Sequence, residues 1–208
     1  MTALLLVDIQ NDFLPGGALP VPRGNEVIGV ANRLIRALPA SAIVATQDWH
    51  PPGHGSFASA HAGKRPFDVG ELGGLDQVLW PDHCVQHSYG AALAAGLHSH
   101  RIEHIIFKGT DPGIDSYSAL FDNAQRKSTG LHRWLSRRGE SQLVVMGLAT
   151  DYCVRCTVLD ARRLGFDTTV VVDGCRGVNQ DSGDSDRAFE EMKRAGARLV
   201  ESGELAAV

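Results

Sequence analysis

The sequence lacks the features that mark membrane, secreted and nucleic-acid-binding proteins. No uninterrupted apolar run approaches the length of a membrane span. The first residues carry no cluster of positive charge and reach the carboxylate of Asp8 after one short apolar run, so we expect a strand there and not a signal peptide. The formal net charge of −4 provides no basic surface for nucleic acid. We therefore expect a soluble protein that binds neither nucleic acid nor a membrane.

Cysteine is also scarce, with 4 among 208 residues. This is too few for a disulfide framework in a chain of this length, so we expect free thiols and a reducing compartment, the cytoplasm. Internal repeats and low-complexity tracts are absent. The length and the 43% of apolar residues are typical of one globular domain with a sizeable core, which predicts a single domain over residues 1–208. A monomer and a homo-oligomer are both compatible with the sequence.

Short apolar segments of strand length alternate along the chain with segments of helical period. The predicted strands are residues 4–7, 42–45, 104–107, 142–146, 168–172 and 198–200. The predicted helices are residues 25–38, 89–97, 130–138, 153–164 and 184–195. This alternation predicts an α/β fold, a doubly wound six-stranded parallel sheet with helices on both faces. A long segment at about 48–84, rich in Gly, Pro, His and Ser, interrupts the pattern and is predicted to be an ordered lid.

A charged or nucleophilic residue follows three of the predicted strands. Asp8 ends the first strand, Lys108 ends the third, and Cys153 follows the fourth at the start of a helix. Because parallel strands share one carboxyl edge, we expect the three side chains to converge. A thiolate can attack a carbonyl, a carboxylate can carry its proton to a leaving amine, and an ammonium between them would lower the pKa of both. The helix N-terminus, capped by Thr150 or Asp151, would lower the pKa of the thiol further.

A second polar cluster follows the second predicted strand. Asp48 and His50 are two residues apart and project to the same side, and one more imidazole would complete a three-ligand metal site with open positions. We favour His83, at the end of the lid, as that third ligand; His54 is the alternative, with Ser56 as an outer contact. An Asp-x-His pair is more often a simple hydrogen-bonded pair, so the spacing alone makes the metal site a hypothesis.

The spacing Cys153-x-x-Cys156 permits another interpretation, a redox-active dithiol at a helix N-terminus. The Val-Arg spacer is unusual for such a site, and the chain is longer than the minimal fold that carries it. A dithiol would also leave the charged strand ends unexplained. We therefore interpret Cys84, Cys156 and Cys175 as packing residues.

Seven motifs occur in order along nearly the whole chain. They are DIQNDF (residues 8–13), TQDWHP (46–51), WPDHCVQ (80–86), FKG (107–109), DSYSA (115–119), GLATDYCV (147–154) and DGCRG (173–177). Together they resemble the motifs of the nicotinamidase (pyrazinamidase) group of the isochorismatase-like cysteine hydrolases. The resemblance implies an amidohydrolase that converts nicotinamide and pyrazinamide to the corresponding acids and ammonia, through a cysteine thioester, in NAD salvage.

The resemblance also implies roles for individual residues. Cys153 matches the nucleophile, Asp8 the proton acceptor and donor, and Lys108 the third member of the triad. A cis peptide is implied before Ala149, whose amide, with that of Cys153, would form the oxyanion hole. Residues that match the wall of the ring pocket are Phe13, Trp80 and Tyr117.

A divalent metal ion is implied as well: zinc, with iron or manganese as alternatives. Its protein ligands would be Asp48, His50 and His83, and water would fill the other positions. The ion is expected to bind the pyridine nitrogen of the substrate. The sequence departs from the family pattern at one point. Some relatives carry a further histidine ligand in the lid, and here His54 does not align cleanly with that position, which Ser56 could occupy instead.

Other function classes are compatible with parts of this pattern. A metal-dependent hydrolase would use a bound hydroxide in place of the thiol. Sister amidases act on ureido or carbamoyl substrates with the same cysteine triad but generally without this metal pattern. A protein that binds nicotinamide without turning it over is a third alternative, which the intact triad disfavours.

Overall fold

The structure, a computed structural model, describes residues 1–205. The strands in chain order are β1 (Thr2–Val7), β2 (Ala42–Asp48), β3 (Val69–Leu72), β4 (Leu75–Val78), β5 (His104–Lys108), β6 (Gln142–Leu148), β7 (Asp167–Arg176) and β8 (Arg198–Val200). The helices are α1 (Glu26–Ala37), α2 (Leu131–Arg137), α3 (Arg155–Arg163), α4 (Asp184–Arg194) and α5 (Ser202–Leu205). None of the helices within residues 1–205 is long and apolar enough to cross a bilayer.

Six of the strands form one parallel sheet in the order β5-β2-β1-β6-β7-β8. Its central strand β1 is buried almost throughout because it is covered on both faces, which explains its continuous apolar sequence. From β1 the chain moves through α1 to β2 on one side, whereas β6, β7 and β8 follow one another on the other side. With right-handed crossovers this reversal puts α1 on one face and α2 to α4 on the opposite face. The predicted fold class is confirmed.

The reversal of strand order lies between β1 and β6, and the carboxyl ends of these two strands form a crevice where such sheets bind ligands. Asp8 directly follows β1. Gly147 lies against β1 at this point with φ +130°, and a Cβ there would come within 2.0 Å of the carbonyl oxygen of Val7. Only glycine lets the two strand ends approach so closely.

The predicted helix at residues 89–97 is wrong. The segment consists mainly of turns with a few short internal bonds, and several of its backbone groups bond to the chain after β1. The carbonyl of Ala92 accepts the amide of Asn11 at 3.0 Å. The carbonyl of Gly90 accepts the amide of Asp12, also at 3.0 Å. A helix would need those carbonyls for its own bonds.

The segment at 48–84 is longer than an ordinary connection but well ordered by its own contacts. It contains an antiparallel hairpin, β3 and β4, that the sequence analysis does not predict. The two strands are joined by Gly73-Gly74, both with positive φ, as a two-residue hairpin turn requires. Phe57, which is fully buried, forms a bridge to Trp80 and so holds the two ends of the segment together. The division into a single domain with a lid stays a prediction, and residues 206–208 lie outside the described range.

Candidate active site

Lys108 is the centre of the first cluster, in which the structure brings together all three residues that follow the predicted strands. Its ammonium lies 2.9 Å from a carboxylate oxygen of Asp8 and 3.4 Å from the Cys153 sulfur. It also pairs with Asp48 and donates to the carbonyl of Ser116 at 3.0 Å. The Lys108 side chain is fully buried, so these four groups take the place of water around its ammonium among the described residues.

Asp8 is held rigidly at the end of β1. The Thr46 hydroxyl donates to its Oδ1 at 2.5 Å and accepts its backbone amide at 3.1 Å. Its φ of +48° is unusual for a residue with a side chain and marks a strained position that its surroundings maintain. The other oxygen, Oδ2, lies 2.9 Å from the Lys108 ammonium. Ligand atoms of Asp8, Asp48 and Cys153 lie within 4.8 Å of one another, so the Asp8 carboxylate is close to the thiol.

Burial dominates the proton affinities of this cluster. It raises the pKa of the Cys153 thiol well above its usual value, and Lys108 offsets only part of this effect. Burial likewise raises the pKa of the Asp8 carboxyl, again against Lys108. Burial disfavours the charged form of Lys108, but the carboxylates of Asp48 and Asp8 outweigh it and raise the Lys108 pKa well above normal. The prediction of lowered pKa values for the thiol and for Asp8 is therefore wrong, because both groups are entirely desolvated.

The backbone before Cys153 also differs from the expected helix start. Residues Thr150–Val154 form a π-helical turn that leads into α3, and neither predicted N-cap residue caps it with a side chain. The Asp151 carboxylate instead accepts the amides of Val178 at 2.9 Å and Asn179 at 2.7 Å. The peptide between Leu148 and Ala149 is cis. The N-cap prediction is wrong because the turn already begins at Thr150, so that Ala149 precedes it, and because the Asp151 carboxylate bonds to the loop after β7.

The second cluster contains Asp48, His50 and His83. The Nε2 atoms of both histidines lie 3.7 Å from Oδ2 of Asp48, and all three residues are buried. Nδ1 of His50 donates to the Gly109 carbonyl at 2.9 Å, and Nδ1 of His83 donates to the Pro81 carbonyl at 2.8 Å. These bonds select the tautomer in which each Nε2 carries a lone pair. Nε2 of His50 is buried without a hydrogen-bond partner in the described chain, as a metal ligand would be.

His54, the alternative ligand, has both ring nitrogens in use. Its Nδ1 lies 2.7 Å from the Ser56 hydroxyl and accepts the Ser56 amide at 3.1 Å, and its Nε2 donates to the Asp111 carbonyl at 2.8 Å. Although ligand atoms of His54, His50 and Asp115 also lie within 4.8 Å of one another, this pairing leaves His54 no lone pair for a cation. The geometry favours His83 over His54.

Two residues that the sequence analysis did not single out position this cluster. Gln10 is fully buried, and its side chain accepts the Asp48 amide at 2.8 Å and donates to the Asp48 carbonyl at 2.8 Å. Gly109, with φ +61°, lies against His50 so closely that a Cβ there would come within 2.4 Å of the imidazole. Both lie in motifs quoted above, but only the folded chain brings them beside the ligands.

A narrow cavity connects the two clusters and is closed on its sides by aromatic rings. The three predicted pocket residues, Phe13, Trp80 and Tyr117, are among its walls together with Cys153 and Ala149. The remaining lining residues are Leu19, Asp48, His83, Asp115, Tyr152 and Val178. Leu19, Tyr152 and Val178 carry no functional pattern in the sequence, because an apolar or aromatic wall residue has no distinctive signal.

The aromatic wall is fixed by a hydrogen-bond network from the lid hairpin. Gln77 of β4 donates to the Tyr117 hydroxyl at 2.8 Å and to Asp115 at 3.2 Å, and the Trp80 indole donates to the same hydroxyl at 3.2 Å. Burial, and after it Asp115, raise the pKa of Tyr117 well above normal, so its hydroxyl stays protonated. Having accepted two bonds, this hydroxyl can still donate one.

The four cysteines are unpaired thiols in the structure. Cys84 and Cys175 are buried, and Cys156 is half-buried. Burial also raises the pKa of Cys156, against Arg155. A low thiol pKa, which a reactive dithiol needs, is therefore missing at both ends of the Cys153-x-x-Cys156 spacing.

Comparison with known proteins agrees with this geometry. The isochorismatase domain matches residues 2–204. The nicotinamidase of Escherichia coli (strain K12) is 55% identical over 199 residues, which are 95% of this chain and 93% of that protein. A nicotinamidase and pyrazinamidase structure from Acinetobacter baumannii superposes with a TM-score of 0.93 at 41% identity, covering 98% of this chain and 97% of that one.

Two further solved structures contain ligands. The yeast nicotinamidase bound to the inhibitor nicotinaldehyde has a TM-score of 0.91 at 31% identity, covering 97% of this chain and 100% of that one. The pyrazinamidase of Pyrococcus horikoshii in complex with zinc has a TM-score of 0.78 at 38% identity, covering 96% and 98%. On the match of the domain and of these relatives over nearly its whole length, the chain belongs to the isochorismatase family, among members that are nicotinamidases.

Proposed function

We propose that this protein is a nicotinamidase, an amidohydrolase that converts nicotinamide to nicotinate and ammonia and also accepts pyrazinamide. The observation that carries the proposal is the buried contact of the Lys108 ammonium with both the Cys153 sulfur and the Asp8 carboxylate. The relatives named above support the choice of substrate. The unpaired thiols are consistent with a reducing compartment, and we propose a cytoplasmic place in NAD salvage.

The first half of the reaction forms a thioester. Because the buried thiol holds its proton tightly, a base must take that proton as sulfur attacks, and Asp8, with its raised pKa, is suited to this task. The Cys153 sulfur bonds to the amide carbon, and the carbonyl oxygen becomes an oxyanion. The C–N bond then breaks, and ammonia leaves with the proton that Asp8 received.

The second half releases the acid. Water attacks the thioester carbon and gives a proton to Asp8, the C–S bond breaks, and the proton returns to the Cys153 sulfur. Lys108 keeps its charge throughout because two carboxylates raise its pKa. Its contacts with the Cys153 sulfur and the Asp8 carboxylate keep these two groups close to each other. We assign the oxyanion to the amides of Ala149 and Cys153; each such donor typically contributes about 3–4 kcal/mol to transition-state stabilisation.

We propose that Asp48, His50 and His83 hold one divalent cation, zinc, with iron or manganese as alternatives. The unpartnered Nε2 of His50 and the two fixed tautomers support this ligand set. When bound, the cation would supply a Lewis acid for the ring nitrogen. Phe13 and Trp80 would enclose the ring, and the Tyr117 hydroxyl would donate to a polar atom of the substrate.

Ammonia release from nicotinamide tests the proposal. We expect turnover by the purified protein and a loss of at least about 10⁴-fold in Cys153→Ala, because nothing else in the cavity can form the thioester. Iodoacetamide should abolish activity through the thiol. Activity that survives iodoacetamide but not a chelator would instead indicate a metal-bound hydroxide, and normal turnover by Cys153→Ala would refute the thiol mechanism.

A further inference from the structure

The ring cavity borders a second, larger cavity on one side. Leu19 and Val178 line both, and no other described residue does. The ring cavity is a narrow slot of about 20 Å³. The outer cavity, which we call the vestibule, has a volume of about 760 Å³. We call the border between the two cavities at these side chains the gap, and a group attached to a bound ring on the vestibule side would meet them there.

The two side chains are held in place by their backbones. The loop that carries Leu19 is bonded to Asp12, whose carbonyl accepts the Leu19 amide at 3.0 Å and whose carboxylate accepts the Ala18 amide at 3.1 Å. The same carboxylate accepts the Cys84 amide at 2.7 Å, directly after His83. The gap therefore has a fixed wall on this side.

The opposite wall is fixed in a similar way. Val178 donates its amide to Asp151 at 2.9 Å, two residues before the nucleophile. Asn179, with φ +52°, donates to the other oxygen of Asp151 at 2.7 Å and accepts the Ser185 amide at the start of α4. Both loops are therefore bonded to residues close to the proposed site, and the Leu19 and Val178 side chains are the groups that border both cavities.

The vestibule beyond the gap has an apolar side and a polar side. Its apolar side consists of four prolines and an exposed phenylalanine: Pro20, Pro22, Pro66, Pro81 and Phe67. Asn179, Gln180 and Asp181 form the polar side. Rigid prolines beside an exposed aromatic ring can pack against a flat apolar group without a large loss of side-chain entropy.

We propose that Leu19 and Val178 determine the substrate specificity of this enzyme by excluding nicotinamides that carry a second ring on the edge facing the vestibule. The vestibule accepts such a ring once either side chain is shortened. The inference rests on the proposed nicotinamidase activity, because it concerns the substrate class of that same site. It assigns the two residues to specificity and not to chemistry, since neither carries a reactive group.

The test compares nicotinamide with 5-phenylnicotinamide and 6-phenylnicotinamide as substrates. For the wild-type protein we expect turnover of nicotinamide and a much lower kcat/KM for both phenyl derivatives. In Leu19→Ala or Val178→Ala the kcat/KM of at least one derivative, relative to nicotinamide, should rise about 10-fold or more, the range over which single carbon groups change discrimination. Leu19→Met, which conserves volume, should keep the wild-type preference.

Two results would overturn the inference. One is equal turnover of a phenyl derivative and nicotinamide by the wild-type protein. The other is an unchanged preference in both alanine variants that still hydrolyse nicotinamide. If an alanine variant loses all turnover, its binding of the phenyl-substituted nicotinates is measured by calorimetry instead. Binding no tighter than that of the wild-type protein would contradict the proposed role of Leu19 and Val178. Failure of the wild-type protein to hydrolyse nicotinamide would instead refute the proposed function.

Discussion

The two clusters of the site are built from different parts of the chain and are fixed by different means. In the cluster around Lys108, which we call the strand-end cluster, Asp8 and Lys108 stand at strand ends, so the sheet itself sets their spacing. In the cluster around Asp48, which we call the loop cluster, the two histidines come from irregular chain and each bonds to one backbone carbonyl. Gly109 also lies against His50, and a buried glutamine, Gln10, holds the backbone of Asp48. At the strand ends a neighbouring side chain adds hydrogen bonds to a position that the sheet has set, whereas each loop histidine is oriented by one backbone carbonyl.

Lys108→Met should produce the largest effect, because Lys108 joins the two clusters. Without the ammonium, Asp8 and Asp48 remain buried with uncompensated charge, which typically costs about 3–5 kcal/mol of stability. We expect kcat/KM for nicotinamide to fall by at least about 10³-fold, as when one member of a catalytic unit is removed. Ammonia release and urea unfolding measure the two effects.

The matched control for this variant is Lys127→Met, the same substitution at an exposed lysine of the neighbouring loop. It should change stability by no more than about 0.5 kcal/mol. Activity of Lys108→Met within tenfold of the wild type would show that the strand-end cluster does not depend on its ammonium.

Gly109→Ala should weaken the loop cluster while leaving the strand-end cluster intact. Its Cβ would lie 2.4 Å from the His50 ring and force the imidazole away from Asp48. Disturbing the support of a metal ligand typically costs about 10–100-fold in metal affinity. Zinc content after dialysis against graded chelator concentrations measures the change.

Gly63→Ala provides the control, since Gly63 also has positive φ, at +75°, but no atom lies within 4 Å of its Cβ position. Both variants carry backbone strain, and only one displaces a ligand. Equal zinc retention by the two would argue against His50 as a ligand.

Gln77→Leu should have a smaller effect, on the aromatic wall. The change removes a donor from the half-buried Tyr117 hydroxyl and from the buried Asp115 carboxylate, at a cost of about 1–3 kcal/mol in stability. We expect KM for nicotinamide to rise more than kcat falls, because the ring pocket loosens while the triad stays in place. Asp76→Ala, an exposed change on the same strand, should alter neither constant. A fall confined to kcat would contradict this assignment.

Cys156→Ser should have the smallest effect and separates hydrolysis from dithiol chemistry. Cys156 lines neither cavity that we describe at the site, so a serine should leave kcat/KM within about twofold of the wild type, as for most substitutions away from functional contacts. Complete loss of activity would revive the redox interpretation.

The sequence predicts the framework of this protein better than its details, for physical reasons. The six strands of the sheet are recognisable because each is a short apolar run, and Asp8 and Lys108 follow from the rule that parallel strands end at one edge. The hairpin in the lid escaped prediction although Gly73-Gly74 between two leucines is a usable turn signal. The false helix at residues 89–97 arose because alanine-rich periodicity does not reveal that another loop bonds to its carbonyls.

The second error concerns the pKa values of the Cys153 thiol and the Asp8 carboxyl, which the sequence predicts to be lowered and which burial raises. A lysine or a helix start beside a thiol predicts a lower pKa, but the magnitude of desolvation depends on how completely the folded chain excludes water. The position of His83 at the end of the lid favours it as the third proposed metal ligand, whereas the pocket residues Phe13, Trp80 and Tyr117 follow only from the family resemblance. Neither the sequence pattern nor the family resemblance points to Leu19 and Val178, because only the folded chain shows that they border two cavities.

The distance along the chain between the reacting groups has a consequence for biosynthesis. Asp8 and Lys108 emerge from the ribosome before Cys153, and the thiol meets them only when β6 has docked beside β1. No early fragment of the polypeptide can therefore process substrate. During refolding, ammonia release from nicotinamide can begin only after β6 has paired with β1. The time at which release begins therefore measures when that pairing forms.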